Sequence, residues 1–496
     1  MSTTSAVPAR DVIRAIAFVG DLAMGQPTDH SWRTAWLARQ LAQATGGNEA
    51  HCAQAAIVAS LRWSGCTANA HEFARAFGDD VALRESLLST QDPEGGLKIG
   101  VQNRPAAFFS LSRIHCEVAG DIAALLSLDE DVQYALRHLF ENYDGSGAPG
   151  GLSHDEVPRF VYLTAMASDL EILHRLYGLE RACALVRLRA DRQYPADLVD
   201  TAVANARAWF TELATRRTTE DIDVLRGDAL EQGVPLEVLA DVIDLKLPWM
   251  TGHSRLAAAL ARDAAEQLGL EPSVQHLLYR AALIHGMGRT AIPNMIWETP
   301  SALSESAWER VRLAPYWTSR AGRLLPSLRK EAELASLAYE RSDGSGYYRG
   351  LTADDVPLEG RILAAAVARA ALGRPRPWRS AYPANQVREL LFEEARQGRL
   401  DGPAVRALLS QTPRRSSHPA TPAVTKLYVL TDREKEVLRC ISLGASNKAV
   451  ALKLSISTST VRTHVESVFR KLQCTTRAAA ILKAVQLGLL DPVELQ

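Results

Sequence analysis

The sequence predicts an all-α protein made of two related helical units and a C-terminal helix-turn-helix. Two long segments of the body repeat each other at a constant offset, and apolar residues near the C-terminus recur at helical spacing. With 496 residues the chain is too long for one core. Its 47% hydrophobic and 23% charged residues are typical of a folded protein in water.

Composition also limits where the protein acts. The sequence lacks an apolar run of about eighteen residues or more, and its first residues do not resemble a secretion signal. We therefore expect a cytoplasmic protein with no membrane partner. The six cysteines are scattered without a C-x-x-C pair, which favours buried free thiols over zinc sites or disulfides.

Charge is divided unevenly along the chain. The net charge is −1, yet the segment from Arg414 onward holds 13 Lys and Arg against 6 Asp and Glu. A basic tail on an acidic body indicates an anionic partner for the tail, and double-stranded DNA is the partner we expect.

The sequence of the basic tail predicts four helices after a Pro-rich and Ser-rich linker at 411–426. Thr431 and Glu434 have the spacing of a capping box for the first helix, and Ser446 can cap the second. The third runs from about Ser457 to Leu472, and Thr475 can cap the fourth. On the third helix one apolar stripe predicts an inward face, with the opposite face polar: Val461, Val465, Val468 and Leu472.

This tail resembles the LuxR/GerE-type helix-turn-helix in the segments LTDREKEVL, GASNKAV and TVRTHV, and we assign 427–496 to that domain. The resemblance implies a set of residues facing the phosphate backbone: Asn447, Lys448, Thr460, His464, Lys471 and Arg477. It also implies base-edge positions at Val461 and Arg462, although Val461 has a rival role in the core. The fourth helix often dimerises in this family, so Ala480, Ala484 and Val485 are candidates for a homodimer interface or for internal packing.

The body contains an internal repeat. His30 lies 32 residues before Arg62, as His253 lies 32 residues before His285, and Gly65 and Gly288 end the two spans. The segments ENYDGSGAPGGLSHDEVP at 141–158 and ERSDGSGYYRGLTADDVP at 340–357 match at an offset of 199. We infer two copies of one helical unit, at 15–205 and 235–410.

The second copy resembles the HD-GYP branch of the HD-domain phosphohydrolases in HSRLAAALA, AALIHGMGRTAIPN and YERSDGSGYYRGL. The resemblance implies an all-α bundle with a bimetallic site that hydrolyses cyclic dinucleotides. The first copy resembles this family mainly through the second. The fold expected for the whole chain is therefore two tandem degenerate HD domains followed by a four-helix LuxR-type domain.

Most positions that match the family's metal ligands hold other residues here. The second copy keeps His253 and His285, but the remaining motif positions hold Gly286, Arg289, Ala314, Ala338, Tyr339 and Val367. In the first copy Arg62 and Trp63 replace the HD pair, Leu139 and Phe140 replace the paired histidines, and only His30, His115 and Asp169 match ligands. Hard metal ions need several convergent ligands, so we expect no metal, cofactor or catalytic residue, and a pseudoenzyme body.

The leading hypothesis is a DNA-binding transcriptional regulator whose body senses a small molecule or protein signal, or assembles a homodimer. The DGSG segments are interpreted as turns kept for backbone geometry. One alternative is a metal-dependent cyclic-dinucleotide phosphodiesterase with a DNA-binding tail, which would need ligands from positions such as Asp343, Asp354 or His276. Another alternative is a body that serves only as a protein-interaction scaffold.

Overall fold

The structure is a computed structural model that describes residues 5–89, 105–216, 224–410 and 430–490. The chain divides into two compact units. The N-terminal unit is Val7–Val234, and the C-terminal unit is Pro235–Gln496 together with Met1–Ala6. Across these ranges the regular structure is helical apart from two short paired strands, β1 (Ala6–Pro8) and β2 (Gly233–Pro235), which confirms the all-α prediction. The predicted linker at 411–426 lies outside the described residues.

The N-terminal unit contains the helices α1 (Ala9–Ala23), α2 (His30–Ala44), α3 (Glu49–Ser60), α4 (Ala70–Phe77), α5 (Asp80–Ser89), α6 (Pro105–Leu125), α7 (Glu130–Leu136), α8 (Arg159–Tyr177), α9 (Leu179–Arg187) and α10 (Ala196–Thr215). The body of the C-terminal unit contains α11 (Glu237–Asp244), α12 (His253–Gln267), α13 (Pro272–Ile284), α14 (Asn294–Trp297), α15 (Glu305–Arg312), α16 (Ala314–Leu324), α17 (Arg329–Ala335), α18 (Leu358–Leu372), α19 (Ala384–Arg396) and α20 (Gly402–Leu409). Its last four helices are α21 (Asp432–Ser442), α22 (Asn447–Leu454), α23 (Thr458–Leu472) and α24 (Arg477–Gln486).

Each unit starts the helix that carries its first motif histidine in the same way. In the C-terminal unit Asp244 accepts hydrogen bonds from the backbone N–H of Ser254 at 2.8 Å and from its hydroxyl at 2.7 Å. In the N-terminal unit Asp21 accepts the same two bonds from Ser31, at 3.1 Å and 2.6 Å. A carboxylate that binds the first free N–H groups of a helix stabilises its start. The repeat seen in the sequence therefore extends to capping residues outside the matching segments.

The two DGSG loops share a backbone scaffold held by a buried glutamate. Glu141 accepts hydrogen bonds from the N–H groups of Gly150 and Leu152, and Glu340 accepts them from Arg349 and Leu351 at 2.8 Å and 3.0 Å. Both glutamates are 2% exposed. Satisfying a buried carboxylate in this way fixes the path of the loop, which supports the interpretation of the DGSG segments as turns.

A close backbone approach explains the glycine that ends each histidine span. A Cβ atom added to Gly288 would lie 1.8 Å from the carbonyl oxygen of Ala314, and one added to Gly65 would lie 2.3 Å from that of His115. No side chain fits at either distance, so both positions require glycine.

The core of each unit is formed by apolar helix faces. All six cysteines are free and buried, as expected. None of the helices within the described ranges is long and apolar enough to cross a membrane.

Candidate nucleic-acid interface and histidine–arginine cluster

The helix-turn-helix is built from four capped helices. Thr431 and Glu434 form the predicted capping box of α21: the hydroxyl of Thr431 accepts from the N–H of Glu434, and the Glu434 carboxylate accepts from the N–H of Thr431. Ser446 caps α22 and Ser457 caps α23, each through its hydroxyl. The cap of α24 is Thr476, which accepts from the N–H of Ala479, so the prediction of Thr475 is wrong by one residue.

The helix α23 buries one face and exposes the other. Val461, Val468 and Leu472 are fully buried, and Val465 is 8% exposed, so the predicted inward stripe is confirmed. The burial of Val461 agrees with a role in the core, and its contact with a base edge stays a prediction. On the opposite face Arg462 is exposed, and its Nε lies 2.9 Å from Oε1 of Glu466.

Among the predicted backbone-facing residues, Lys448 and Thr460 are exposed at the starts of α22 and α23, and His464 is half-buried on α23. Lys448 carries a cationic ammonium group, and helix N-termini attract anions. These positions agree with contact to phosphate groups. The assignment of each residue to DNA stays a prediction.

Lys471 has a structural partner that the sequence analysis missed. Its Nζ lies 2.7 Å from Oε2 of Glu434, and the hydroxyl of Ser467 donates to Oε1 of the same carboxylate at 2.7 Å. Burial alone would raise the pKa of Glu434, but the hydrogen bonds from Lys471, Ser467 and Thr431 outweigh it and lower that pKa to about 2. Lys471 therefore joins α23 to α21, in addition to any contact with phosphate.

Two other predicted DNA contacts also bind each other. Arg477 donates to the carbonyl oxygen of Ala445 at 2.8 Å and to Oδ1 of Asn447 at 3.1 Å. These bonds connect the start of α24 to the turn before α22. Asn447 and Arg477 thus hold the geometry of the turn.

The fourth helix packs on the body of its own unit. Ala480 and Ala484 are fully buried and Val485 is 5% exposed. A small cavity is lined by Ile481, Leu482 and Val485 on one side and by residues of α11 and the turn before α12 on the other. The amide of Gln486 donates to Asp241 of α11. These contacts occupy the candidate dimer face within one chain, and dimerisation through it stays a prediction.

In the body, the two retained histidines of the second copy lie side by side, one at the start of a helix and the other just after the end of the next helix. His253 is the first residue of α12, behind Gly252 in the left-handed region at φ +73°, and His285 follows α13. Their rings lie 5.6 Å apart between centroids, and both residues are 1% exposed. Burial and the nearby guanidinium of Arg289 hold the pKa of both imidazoles well below the ordinary value, so both are neutral.

Arg289 occupies the space beside these histidines. Nδ1 of His285 lies 2.6 Å from the carbonyl oxygen of Ala282, and its Nε2 faces Nη2 of Arg289 at hydrogen-bond distance. Because a carbonyl only accepts, Nδ1 carries the proton and Nε2 is the acceptor. The lone pair that could bind a metal is therefore engaged by a cation.

The bimetallic centre implied by the fold family does not fit the residues at this place. A Cβ atom added to Gly286 would lie 2.9 Å from Nη1 of Arg289 and 3.0 Å from Cγ2 of Ile243, so Arg289 fills the volume that an acidic ligand would need. Ala314, Ala338 and Val367 are buried and offer no ligand atom. Within the described residues there is no group of three or more His, Cys, Asp or Glu that could hold a metal ion.

The alternative ligands named from sequence lie elsewhere. Asp343 accepts from the N–H and hydroxyl of Ser345 within its loop, at 2.9 Å and 2.6 Å. Asp354 and His276 are exposed on a loop and on α13. Within the described residues none of the three forms a hydrogen bond or an ion pair with His253 or His285. Asp343 is held within its own loop, and Asp354 and His276 lie at the surface.

In the N-terminal unit, each retained polar residue has its own partner. Nδ1 of His30 lies 2.6 Å from Oε2 of Glu171, and Nε2 of His115 lies 2.8 Å from the carbonyl oxygen of Arg62. The carboxylate of Asp169 accepts from Arg189 at 2.7 Å. Burial lowers the pKa of His115 to about 3. Glu171 was missed from sequence because its partner lies 141 residues away.

Comparison with protein families matches two parts of the chain. Residues 237–404 match the HD domain, and residues 428–484 match the bacterial regulatory proteins of the luxR family. The probable transcriptional regulatory protein NarL of Mycobacterium tuberculosis is 46% identical over 63 residues, which cover 13% of this chain and 29% of that protein.

The body is similar to phosphodiesterases. The 3'3'-cGAMP-specific phosphodiesterase 3 of Vibrio cholerae is 23% identical over 427 residues, covering 78% of this chain and 91% of that protein. The 3'3'-cGAMP-specific phosphodiesterase 1 of the same organism is 32% identical over 164 residues, covering 33% of this chain and 38% of that protein. A crystal structure of a cyclic GMP-AMP specific phosphodiesterase of V. cholerae has a TM-score of 0.58 at 21% identity, over 82% of this chain and 97% of that one, and shows that the fold is shared.

These similarities contradict the expectation that the body is a pseudoenzyme without activity. That expectation rested on a count of ligand side chains at a few motif positions, whereas the likeness to phosphodiesterases extends over both copies. Replacement of ligands at single positions is therefore not sufficient ground for calling the body inactive. The chain joins an HD domain to a DNA-binding domain of the luxR family of bacterial regulatory proteins.

Proposed function

We propose that the protein is a transcriptional regulator whose helix-turn-helix binds double-stranded DNA and whose HD body recognises a 3'3'-linked cyclic dinucleotide. The match to the luxR family over residues 428–484 carries the first half of this proposal. The exposure of Arg462 and Lys448 on that module supports it, because a forked guanidinium can read guanine and an ammonium can neutralise phosphate.

The proposal that the body recognises a cyclic dinucleotide rests on the similarity of the body to phosphodiesterases. Three 3'3'-cGAMP-specific phosphodiesterases resemble it, the first over 78% of this chain. Because these relatives act on 3'3'-cGAMP, this nucleotide is the first ligand to test. A change of DNA affinity on nucleotide binding would be a coupling free energy between two sites of one chain.

Phosphodiesterase activity is the second candidate function of the body. The coverage of 91% of the V. cholerae phosphodiesterase 3 favours it, since both copies are retained in order. The same sample can test both ideas, because hydrolysis consumes the nucleotide and simple recognition does not.

We also propose that DNA is bound by a homodimer. Two copies of one reading helix on a symmetric target double the number of base and phosphate contacts. Mass measurement of the complex by light scattering tests this directly: one chain for each DNA site would contradict it. The cytoplasmic location expected from the sequence stays a prediction.

The experiment is a fluorescence anisotropy titration of labelled genomic fragments with the full-length chain at two salt concentrations, with and without 3'3'-cGAMP. The regulator proposal expects tighter binding at low salt, a preference for a subset of fragments and a shift of affinity with the nucleotide. Chromatography of the nucleotide after incubation with Mn²⁺ or Fe²⁺ reports hydrolysis. Absence of salt-dependent DNA binding would contradict the proposed function, and DNA binding that ignores the nucleotide would contradict its second half.

A further inference from the structure

Three arginines converge on the histidine pair of the C-terminal unit. Arg289 contacts Nε2 of His285 through Nη2, and it also donates from Nε to the hydroxyl of Tyr339 at 2.9 Å. Arg374 is fully buried and donates from Nη1 to the carbonyl oxygen of Thr251 at 2.5 Å, two residues before His253. Arg376 follows after one proline, with its guanidinium carbon 4.7 Å from the ring centroid of Trp249. We call these three residues the arginine cluster.

The charges of the arginine cluster act on one another and on His253. Burial first, and then the charges of Arg374, Arg379 and Arg289, lower the pKa of Arg376 to about 9. Burial followed by the charges of Arg289 and Arg376 holds the pKa of His253 well below its ordinary value. Each cation of the cluster therefore destabilises further positive charge at the same place, as happens where like charges lie close together in a protein interior.

Negative charge at the cluster is smaller than the positive charge. Oδ1 of Asp244 lies 3.9 Å from Nη1 of Arg289, and burial raises the pKa of Asp244 to about 6. The neighbouring Asp241 is held by Arg255 through two hydrogen bonds of 2.6 Å each. Among the described residues no carboxylate forms an ion pair with Arg376, whose guanidinium donates to the carbonyl oxygen of Pro375 at 3.3 Å. Removing the cation of Arg376 from water without a nearby carboxylate is unfavourable, so a bound anion would stabilise it.

A second, independent observation is an unsatisfied buried atom. Nδ1 of His253 has no hydrogen-bond partner within the described chain, although the residue is only 1% exposed. Buried polar groups in folded proteins are almost always satisfied, so this atom indicates a polar group that binds there.

The side of the cluster that reaches the surface is aromatic. Trp249 and Trp378 form an edge-on pair with ring centroids 6.1 Å apart, and Trp378 is 48% exposed. The guanidinium group of Arg376 lies over the ring of Trp249, so a cation and an indole face are in contact. Aromatic faces stack on nucleobases and guanidinium groups bind phosphate oxygens, which is the pair of contacts that a nucleotide requires.

We propose that the arginine cluster is the phosphate-binding site for a cyclic dinucleotide, with guanidinium groups supplying the positive charge that metal ions supply elsewhere in the fold family. Three guanidinium groups and one carboxylate leave a surplus of positive charge that matches the two phosphodiester groups of the ligand. Trp249 and Trp378 stack on a base, and Nδ1 of His253 accepts or donates a hydrogen bond at the ligand. This inference rests on the proposed function and assigns the residues that perform its recognition step.

Calorimetric titration of the full-length chain with 3'3'-cGAMP, after exhaustive treatment with EDTA, tests the proposal. We expect binding that survives EDTA and weakens with salt, and a loss of affinity of about tenfold or more in Arg376→Gln, the effect of one charge-assisted hydrogen bond. Arg388→Gln is the matched control, because Arg388 is exposed on α19 with its guanidinium 5.4 Å from the ring of Phe392, outside the cluster. It should bind like the wild type.

A second variant at the surface keeps the proposal testable if the buried Arg376→Gln variant fails to fold. Trp378→Ala removes a half-exposed ring and should lower affinity severalfold without a change in melting temperature. Equal binding by wild type, Arg376→Gln and Trp378→Ala, or binding that appears only with added metal, would overturn the arginine site and leave the proposed function standing. No binding of the nucleotide under either condition would overturn the site together with the nucleotide half of the proposed function.

Discussion

The hydroxyl of Thr251 lies 2.9 Å from the carbonyl oxygen of Ser442, the last residue of α21, and shares its proton with the carbonyl oxygen of Pro248 at the same distance. The carbonyl group of Thr251 accepts from Arg374. One residue therefore contacts the arginine cluster through its backbone and the helix-turn-helix through its side chain. The two segments also approach closely at Gly444, where an added Cβ atom would lie 3.2 Å from Cβ of Pro248.

This relationship predicts that Thr251→Val loosens the helix-turn-helix from the body. Valine keeps the shape of threonine but loses the hydrogen bond, which is worth about 1 kcal/mol. Hydrogen exchange of the α24 amides should become about fivefold faster if exchange follows release of this interface. Thr211→Val is the control, because its hydroxyl bonds only the carbonyl oxygen of Arg207 in its own helix. Equal exchange in both variants would show that Thr251 does not hold the interface.

The Glu434 carboxylate predicts an acid-sensitive helix-turn-helix. Its pKa in the folded protein is about 2 against an ordinary value of 4.5, so the stabilisation is present above about 4.5 and is lost as pH falls towards 2. Helicity and melting temperature measured between pH 6 and pH 2 should show this loss for α21–α24, and Glu434→Gln should flatten the profile. A profile that is identical in wild type and Glu434→Gln would refute the assignment.

Lys471→Ala should destabilise the protein in addition to weakening DNA binding. Removal of the lysine leaves a buried carboxylate without its cation, at a cost of about 2 kcal/mol in the free energy of unfolding of the tail. Lys435→Ala serves as control, because Lys435 pairs at 3.5 Å with the fully exposed Asp432 and such pairs contribute little. Urea denaturation followed by circular dichroism compares the two.

Arg462 and Lys448 should affect DNA binding in different ways. Arg462→Ala should remove about 1–3 kcal/mol of discrimination between fragments, provided that the arginine exchanges Glu466 for a base edge. Lys448→Ala should weaken binding to all fragments and reduce the slope of log affinity against log salt by about 1. Arg396→Ala, at an exposed position of α19, should change neither quantity. The idea fails if Arg462→Ala retains the wild-type preference among fragments.

Gly288→Ala should prevent normal folding of the C-terminal unit. The clash of 1.8 Å with the carbonyl oxygen of Ala314 involves backbone, which cannot move without displacing α16. We expect a loss of about 3 kcal/mol or more in the free energy of unfolding. Gly402→Ala is the matched control, since its nearest atom is the end of the flexible Arg406 side chain at 3.4 Å. If both variants melt at the same temperature, the close approach is not a constraint on the fold.

Local patterns in the sequence predicted the elements that local interactions determine. The capping box of Thr431, the inward stripe of α23 and the turn at Asp343 all involve residues within a few positions of each other, so spacing alone identifies them. The burial of Val461 needed the structure, because a position on a helix can face the core or the solvent and spacing alone does not decide between them.

Contacts between distant segments could not be predicted in this way. Arg374 and Arg376 lie in the loop after α18, and nothing in the run GRPRPWRS indicates that they reach His253, more than a hundred residues earlier. The partner of Lys471 is also distant in sequence, because Glu434 lies 37 residues earlier. The expectation of an inactive body failed for a related reason, since it weighed single motif positions and not the similarity to phosphodiesterases that extends over the body.

The loops held by Glu141 and Glu340 share the same two backbone hydrogen bonds to the buried carboxylate and carry different exposed side chains. In each of these fully described loops the carboxylate binds backbone N–H groups and no side chain of the loop, so these bonds persist when the exposed side chains change. After duplication the two loops could therefore acquire different surfaces while keeping one backbone path, and the differences between 141–158 and 340–357 follow this pattern.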